Sequence, residues 1–319
     1  MKLIQERGLV MILVTGATGT IGSRLVALLA AEGAKVRAVT RGPQASGLPA
    51  NVDIVVGDPS RPGTMAAAME GVTSLFLHPR AVGDSAAELC ALARERGAGR
   101  VVALAAINVD EDLAAQPSRF QGDRNKEAED AAVASGMEWA SLRAASFAVN
   151  TLHTMAPQVR AGDVVRGPYA TFAEPLIHEE DLAEVAARAL LDEGPAFRKM
   201  PLTGPQALSH EEMAAVIGEV IGRPLRYQEI PPEAYAQGMV QRGGSRRRSW
   251  RPCWPGTPEA PDRPRPSPTR WRRSSAAPRA PTPTGSPTMP PPSAARPSRS
   301  RRARGRRRSV PARGQPGCR

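Results

Sequence analysis

Three regularly spaced glycines are the residues of this chain that most directly predict chemistry. Gly16, Gly19 and Gly22 follow a short apolar run, Met11 to Val14, at the spacing G-x-x-G-x-x-G. Glycines at this spacing turn a strand tightly into a helix, bring backbone N–H groups close to a pyrophosphate and let the helix pack on the strand. The positive end of the helix dipole then faces the phosphates. The segment predicts a dinucleotide-binding turn, and the alternative is a glycine-rich turn without a ligand.

The predicted phosphate contacts lie in this turn and in the first turn of the helix that follows. Thr15 and Thr18 are expected to supply hydroxyl donors, in addition to the backbone N–H groups. The residues predicted to bind the dinucleotide here are Gly16, Thr18, Gly19, Thr20, Ile21 and Gly22.

The end of the second predicted strand indicates which dinucleotide is bound. An acid at this position would bind the ribose 2′-hydroxyl and favour NAD, but the strand ends Val39-Thr40-Arg41. Arg41 offers a planar, permanently charged group to a 2′-phosphate, and Thr40 adds a hydroxyl. We therefore expect NADP(H) to be preferred, with NAD(H) as the other possible cofactor. The alternative is an arginine that is merely solvated.

Two further side chains are candidates for the nucleotide site. Asp58 follows the third strand and is placed to accept a hydrogen bond from the adenine amino group, or else to cap a helix or turn. His78 ends the fourth strand, where it is expected to bond a ribose hydroxyl or to stand as a simple edge histidine.

These candidates are positioned by alternating strand and helix patterns. The predicted strands start at Met11, Val36, Val52, Thr73, Arg100 and Glu138, and most are near-continuous apolar runs. Such runs are typical of strands that are covered by helices on both faces. The fold class is therefore α/β, a doubly wound parallel sheet of the Rossmann type. We expect a dinucleotide-binding domain over residues 11–150 and a smaller substrate-binding portion over residues 151–242. A helix is expected from Thr64 to Gly71. In the second portion we expect a helix that begins with a capping box of Ser209 and Glu212, followed by an extended proline-rich piece from Leu225 to Tyr235.

The last part of the chain has a different composition. Residues 243–319 contain 20 of the 43 basic residues, all arginine, two of the 31 acids and 17 of the 32 prolines. Such a segment buries too little apolar surface to offset its chain entropy, so a disordered tail is expected. Arginine without lysine is also what out-of-frame translation of a GC-rich gene yields, and we favour that origin over a genuine basic arm that binds nucleic acid.

Other general features point to a cytoplasmic protein. Residues 1–10 lack the apolar core of a signal peptide, and we interpret them as an over-called start before Met11. No run approaches the ~18 apolar residues that suggest a membrane span. Cys90 is expected to be a small core residue, and nothing in the sequence suggests disulfides. No metal site, membrane association or specific nucleic-acid partner is predicted, and the sequence does not indicate an oligomeric state.

Several segments together resemble the NmrA-like group of atypical short-chain dehydrogenases/reductases. They are TGATGTIG, VRAVTR, VVGD, the helix start from Lys126 to Glu129, EWASLRAASFAVN and PLIHEEDLAEVAARAL, and the resemblance extends from about Met11 to Tyr235. The group includes NADP(H)-dependent reductases of quinones and triphenylmethane dyes, and also dinucleotide-binding redox sensors. Its members often have Leu-Arg-Pro-Gly where this chain has Leu142-Arg143-Ala144-Ala145.

The resemblance also shows a departure at the catalytic residues. Typical short-chain dehydrogenases use Tyr-x-x-x-Lys, in which the lysine lowers the pKa of the tyrosine. Lys126 suits the lysine position, but Gly122 stands four residues before it, and the fifth strand ends Ala105-Ala106 where a Ser or Thr is usual. Lys126 is therefore the candidate for cofactor binding and for proton donation, with water as the other possible proton donor, or else it is an ordinary surface residue.

The resemblance implies two main functions. The first is a reductase that transfers hydride to a small flat acceptor, such as a quinone or a dye. Phe147 and Asn150, in the loop after the sixth strand, are the candidates to position that acceptor, or else they have core or turn roles. The second is a sensor or regulator that binds the dinucleotide without turnover. A nucleic-acid-binding protein that uses the basic arm is a third possibility, which depends on the reading frame of residues 243–319.

Overall fold

The computed structural model describes residues 10–42, 47–192 and 198–243. The predicted tail, apart from Gly243, and the first nine residues lie outside these ranges. Within them the strands are Met11–Val14 (β1), Lys35–Thr40 (β2), Asp53–Val56 (β3), Ser74–Leu77 (β4), Arg100–Ala106 (β5), Glu138–Ala144 (β6), Val164–Gly167 (β7), Ala173–Glu174 (β8), Lys199–Leu202 (β9), Leu208–Ser209 (β10) and Arg226–Glu229 (β11).

The α-helices of the described ranges lie between and after these strands. They are Thr20–Ala31 (α1), Pro79–Val82 (α2), Ala86–Glu95 (α3), Asn125–Ala134 (α4), Asn150–Thr154 (α5), Ala156–Ala161 (α6), Glu179–Leu191 (α7), His210–Val220 (α8) and Pro232–Gly243 (α9).

The main sheet confirms the predicted fold class. Its seven strands are all parallel and run in the order β3-β2-β1-β4-β5-β6-β9. The chain reverses its direction across the sheet between β1 and β4, and ligands of doubly wound sheets bind outside the carboxyl ends of the strands at such a switch point. Strand β9 shows that part of the segment after residue 150 extends this sheet, while the proposed boundary at that residue stays a prediction.

Helices cover both faces of the sheet, as the apolar strands require. One face packs on α1 and α7, and its core includes Ile12, Val14, Phe76 and Leu142. The other face packs on α3 and α4, where Cys90 is 1% exposed and fills the core as predicted. Burial in this apolar layer raises the pKa of the Cys90 thiol to about 12, so the thiol stays protonated.

The small C-terminal elements form a separate apolar cluster. Strand β7 pairs with β11, β8 pairs with β10, and Met155, Val165, Met213 and Leu225 pack between them and α8. The predicted capping box at the start of α8 is present, because the Ser209 hydroxyl accepts from the Glu212 N–H while the Glu212 carboxylate accepts from the Ser209 N–H.

Three local predictions were wrong. The helix expected from Thr64 to Gly71 is a 3₁₀ turn, Pro62–Met65, followed by further turns, because the segment is short and Met65 and Met69 insert into the core. The proline-rich segment from Leu225 to Tyr235 is extended as predicted only in its first part, which forms β11; its end forms α9, because Pro232 takes the first helical position, which suits proline. Strand β3 is an edge strand with Ile54 and Val56 exposed, so it is not covered on both faces.

Candidate dinucleotide and acceptor site

The turn between β1 and α1 has the backbone geometry that the three glycines predicted. Gly16 has a φ of +66°, a conformation that L side chains rarely adopt. A Cβ atom on Gly22 would lie 2.1 Å from the carbonyl oxygen of Gly16 and 2.9 Å from Cα of Ala17. The helix can therefore begin this close to the strand only when residue 22 has no side chain.

The start of α1 presents backbone donors to a ligand. Gly19 is the N-cap residue, and no side chain of the described residues caps the helix there. Thr18, Gly19 and Thr20 are exposed, whereas the side chain of Ile21 is buried so that only its backbone is available. Uncapped N–H groups at the positive end of a helix bind phosphate. This cradle of uncapped backbone donors fits the pyrophosphate of a dinucleotide.

Thr15 does not have the role predicted for it. Its side chain is fully buried, and its hydroxyl donates to the Phe76 carbonyl at 2.8 Å and accepts from the His78 N–H at 2.8 Å. Both hydrogen bonds join β1 to β4. The hydroxyl therefore fixes the two strands on either side of the switch point, and Thr18 is the exposed hydroxyl of the turn.

The residues expected to select the cofactor lie at the carboxyl end of β2. Arg41 is exposed there, as a 2′-phosphate contact requires. Thr40 is buried, and its hydroxyl donates to the carbonyl of Gly42 at 2.6 Å, so that it shapes the turn on which Arg41 lies. The contacts of both residues with the cofactor stay predictions.

Asp58 caps a turn, which was the alternative interpretation of this residue. Its Oδ1 accepts from the N–H of Ser60 at 3.1 Å and from the Ser60 hydroxyl at 2.7 Å. These hydrogen bonds, together with Arg61 and Arg41, lower the pKa of Asp58 and keep the carboxylate charged. The contact with adenine stays a prediction.

His78 lies directly against the glycine turn. A Cβ atom on Gly16 would meet Cβ and Cγ of His78 at 2.9 Å. The imidazole caps α2 by accepting from the Arg80 N–H at Nδ1, 3.3 Å away, and burial lowers its pKa. The ring is therefore neutral at pH 7 with its proton on Nε2, which leaves one donor for a ligand hydroxyl.

The backbone conformation at position 122 does not suit a tyrosine. Gly122 ends the 3₁₀ helix Pro117–Gln121 with a φ of +97°, in the left-handed region. Tyrosine would be strained in that conformation. Four residues on, Lys126 lies in the first turn of α4 and forms an ion pair with Asp130. Lys126 is thus partly exposed and already has a counter-ion.

The segments that leave β5 and β6 expose apolar side chains that the sequence analysis did not single out. Ile107, directly after β5, is 39% exposed, and Leu152, in α5, is 59% exposed. Phe147 is half-buried and forms an isolated bridge with Ile177, and Asn150 begins α5 in an exposed position. Because the carboxyl ends of parallel strands meet at one edge, all of these residues leave the sheet on the side of the glycine turn.

A buried charged cluster supports the same edge. Glu129, on α4, is 2% exposed, and it accepts from Arg143 Nε at 2.9 Å and Nη2 at 2.6 Å and from the Ser141 hydroxyl. Burial acts to raise the pKa of Glu129, but the hydrogen bonds from Arg143 and Ser141 outweigh it and lower that pKa. Arg143 also donates to Asp110, and this contact lowers the pKa of Asp110. In the sequence, Arg143 stands out only as part of the segment Leu142-Arg143-Ala144-Ala145.

The described parts of the chain contain neither a membrane-spanning helix nor a cluster of metal ligands. No helix there is long and apolar enough to cross a membrane. No group of three or more His, Cys, Asp or Glu side chains in the same ranges is placed to hold a metal ion.

Comparison with known proteins gives the same family that the glycine turn indicates. A family model described as NAD(P)H-binding matches residues 16–193. The chain is 32% identical over 234 residues to a (4-alkanoyl-5-oxo-2,5-dihydrofuran-3-yl)methyl phosphate reductase of Streptomyces griseus, covering 72% of this chain and 80% of that protein. It is 34% identical over 238 residues to an NAD(P)H azoreductase of Xenophilus azovorans, covering 73% and 82%.

Solved structures show the same fold. An NADPH-dependent quinone oxidoreductase from Escherichia coli superposes with a TM-score of 0.64 at 22% identity, covering 73% of this chain and 82% of that chain. At this level of identity the likeness concerns the arrangement of strands and helices.

Proposed function

Because the chain belongs to the NAD(P)H-binding family, we propose that it is an NADPH-dependent reductase that transfers hydride to a small flat acceptor such as a quinone or a dye. The observation that carries the proposal is the carboxyl edge of the sheet, where the uncapped glycine turn and the exposed apolar residues Ile107 and Leu152 lie on the same side. The similar proteins, which include an NAD(P)H azoreductase and an NADPH-dependent quinone oxidoreductase, support the same class of reaction.

The chain's own residues divide into those that hold the cofactor and those that face the acceptor. The backbone N–H groups of Thr20 and Ile21 hold the pyrophosphate, Arg41 the 2′-phosphate, and His78 a ribose hydroxyl. When bound, NADPH supplies the hydride. Phe147 and Asn150 orient the acceptor. Ile107 and Leu152 exclude water from its flat face.

Lys126 donates the proton that completes the two-electron reduction. Its ammonium group lies at the start of α4, where it forms an ion pair with Asp130. A positioned general acid contributes about a hundredfold or more to the rate. No hydroxyl from residues 105, 106 or 122 takes part, because those positions hold Ala, Ala and Gly.

Replacing Lys126 by alanine is expected to lower kcat for quinone reduction, which takes up one proton with each hydride, by roughly a hundredfold, the lower end of the usual contribution of a general acid. The dissociation constant for NADPH should change little. Lys35→Ala, at the exposed amino end of β2, is the matched control and should leave both quantities unchanged. Equal turnover in the Lys126 variant and the parent protein would exclude Lys126 as the proton donor.

Replacing Arg41 by alanine is expected to weaken NADPH binding by about 1.5–3 kcal/mol, the usual value of a hydrogen bond to a charged group. NADH, which lacks the 2′-phosphate, should bind as before. Isothermal titration with both cofactors measures the difference, and Arg96→Ala, which removes an exposed arginine at the end of α3, is the control. Equal losses for NADPH and NADH would overturn the assignment of Arg41.

A sensor that binds the dinucleotide without turnover is the second candidate. The observation that favours it is the absence of the usual hydroxyls at positions 105, 106 and 122. The two functions differ in one measurement, because a sensor would bind NADPH tightly without oxidising it in the presence of any acceptor.

A further inference from the structure

The two carboxylates that contact Arg143 have very different environments. Glu129 is 2% exposed, whereas the side chain of Asp110 is 67% exposed. A buried carboxylate needs its partner, since an unpaired buried charge is costly. An exposed ion pair usually contributes only about 0–1 kcal/mol. The contact between Arg143 and Glu129 therefore stabilises the fold. The contact between Arg143 and Asp110 contributes little to stability, so we look for another role for it.

The geometry of the second contact is specific. Arg143 Nη1 donates to Oδ2 of Asp110 at 2.6 Å, and Nη2 donates to Oδ1 at 3.0 Å. Two parallel hydrogen bonds to a planar guanidinium fix direction as well as distance. The guanidinium itself cannot turn, because Nε and Nη2 are also bound to the buried Glu129.

Asp110 belongs to a short segment, residues 107–112, that is also held by hydrogen bonds from the side chain of Gln116. The buried Gln116 amide donates to the carbonyls of Val109 at 3.2 Å and Glu111 at 3.0 Å. At the start of the segment, the Ile107 N–H donates to the Ala144 carbonyl at 2.9 Å. Asp110 thus gives the segment a second attachment to β6, three residues beyond the first.

We propose that Arg143 is a positioning residue for the acceptor site, and that its paired hydrogen bonds to Asp110 hold residues 107–112 at the carboxyl edge of the sheet. The inference rests on the proposed reductase function, because Ile107 is one of the apolar residues assigned to the acceptor. In the sheet, strand β6, which carries Arg143, is separated by β4 and β5 from β1, which leads into the glycine turn, and from β2, which leads to Arg41. Loosening it should affect the acceptor and not the cofactor.

The variant that tests the proposal is Asp110→Asn, which keeps the shape of the side chain and removes its charge. The matched control is Glu138→Gln. Glu138 accepts from Nε and Nη2 of Arg100 at 3.1 and 2.8 Å, its side chain is 64% exposed, and this pair lies at the opposite end of the same two strands.

In Asp110→Asn, kcat/KM for the quinone or dye should fall roughly tenfold to a hundredfold, because a small misplacement of the reacting groups causes a rate loss of this size. The NADPH dissociation constant and Tm should stay near those of the parent, and Glu138→Gln should match the parent in all three. Asp110→Glu, which keeps the charge, should recover part of the loss. Parent-like kcat/KM in Asp110→Asn, or an equal loss of NADPH binding, would overturn the proposal.

Hydrogen exchange provides a readout that does not depend on turnover. Amides of residues 107–112 should exchange about tenfold faster in Asp110→Asn, as expected when a local opening loses one charge-assisted contact. Exchange rates of residues 107–112 that do not change would show that the positioning role is wrong. If only the pH profile of turnover shifts, Asp110 acts on the charge of Lys126 instead. If the parent protein reduces no acceptor, the reductase function fails, while exchange still decides whether Arg143 holds the segment.

Discussion

Replacement of Gly22 by alanine is expected to abolish the binding of NADPH and NADH alike and to lower the free energy of unfolding by about 3 kcal/mol or more, the upper range for overpacking. The added Cβ would lie 2.1 Å from the Gly16 carbonyl oxygen and 2.7 Å from its carbonyl carbon. Both atoms belong to the backbone and cannot rotate away. Relief requires α1 to move from β1, which opens the phosphate cradle.

Gly99→Ala is the matched control for this experiment. Gly99 is exposed, and a Cβ atom there would meet nothing within 4 Å. Its effect on stability should stay within about 0.5 kcal/mol, as for most surface changes. Cofactor titration and thermal unfolding give the two quantities, and a Gly22→Ala protein that binds NADPH as tightly as the parent would show that the cradle is misassigned.

Replacement of Arg143 by methionine should cost about 3–5 kcal/mol of unfolding free energy at neutral pH, because it leaves a buried carboxylate without its main partner. Glu129 would retain Ser141 and, at 3.6 Å, Lys199. Adding Glu129→Gln to this variant should recover part of the loss, since the uncompensated charge is then removed. Chemical denaturation of the two variants measures both changes.

The loss of stability in Arg143→Met should become smaller as the pH falls. In the parent the pKa of Glu129 is lowered, so its stabilising contribution is present above the pKa of the unfolded chain and is lost as the pH falls through the folded value. In Arg143→Met, burial raises the pKa of Glu129, and the acid becomes neutral as the pH falls. The difference in Tm between parent and variant should therefore shrink from pH 7 toward pH 4.5, and a constant difference would contradict this account.

The features that the sequence predicted correctly are those set by local backbone rules. The glycine spacing predicted the turn between β1 and α1, because the close approach of Gly22 to Gly16 and the positive φ of Gly16 admit only glycine. The Ser209–Glu212 capping box was predicted for the same kind of reason, since both of its hydrogen bonds lie within four residues.

The features that the sequence analysis missed depend on contacts between distant segments. Thr15 appeared to be a donor to the ligand, but its partners are on β4, about 60 residues away in the chain. The cluster of Asp110, Glu129 and Arg143 joins a loop, a helix and a strand, and no local pattern indicates that these residues meet. Helix α9 was missed because two successive prolines suggested an extended segment, although one of them suits the start of a helix.

Transfer of deuterium from stereospecifically labelled NADPH is the most direct test of the reductase function. The purified protein would be incubated without oxygen with the labelled cofactor and with a panel of quinones, azo dyes and triphenylmethane dyes, and the products analysed by mass spectrometry. The account predicts oxidation of NADPH that matches acceptor reduction one for one, with deuterium transferred from one face of the nicotinamide. Tight binding of NADPH without oxidation in the presence of any acceptor would contradict it.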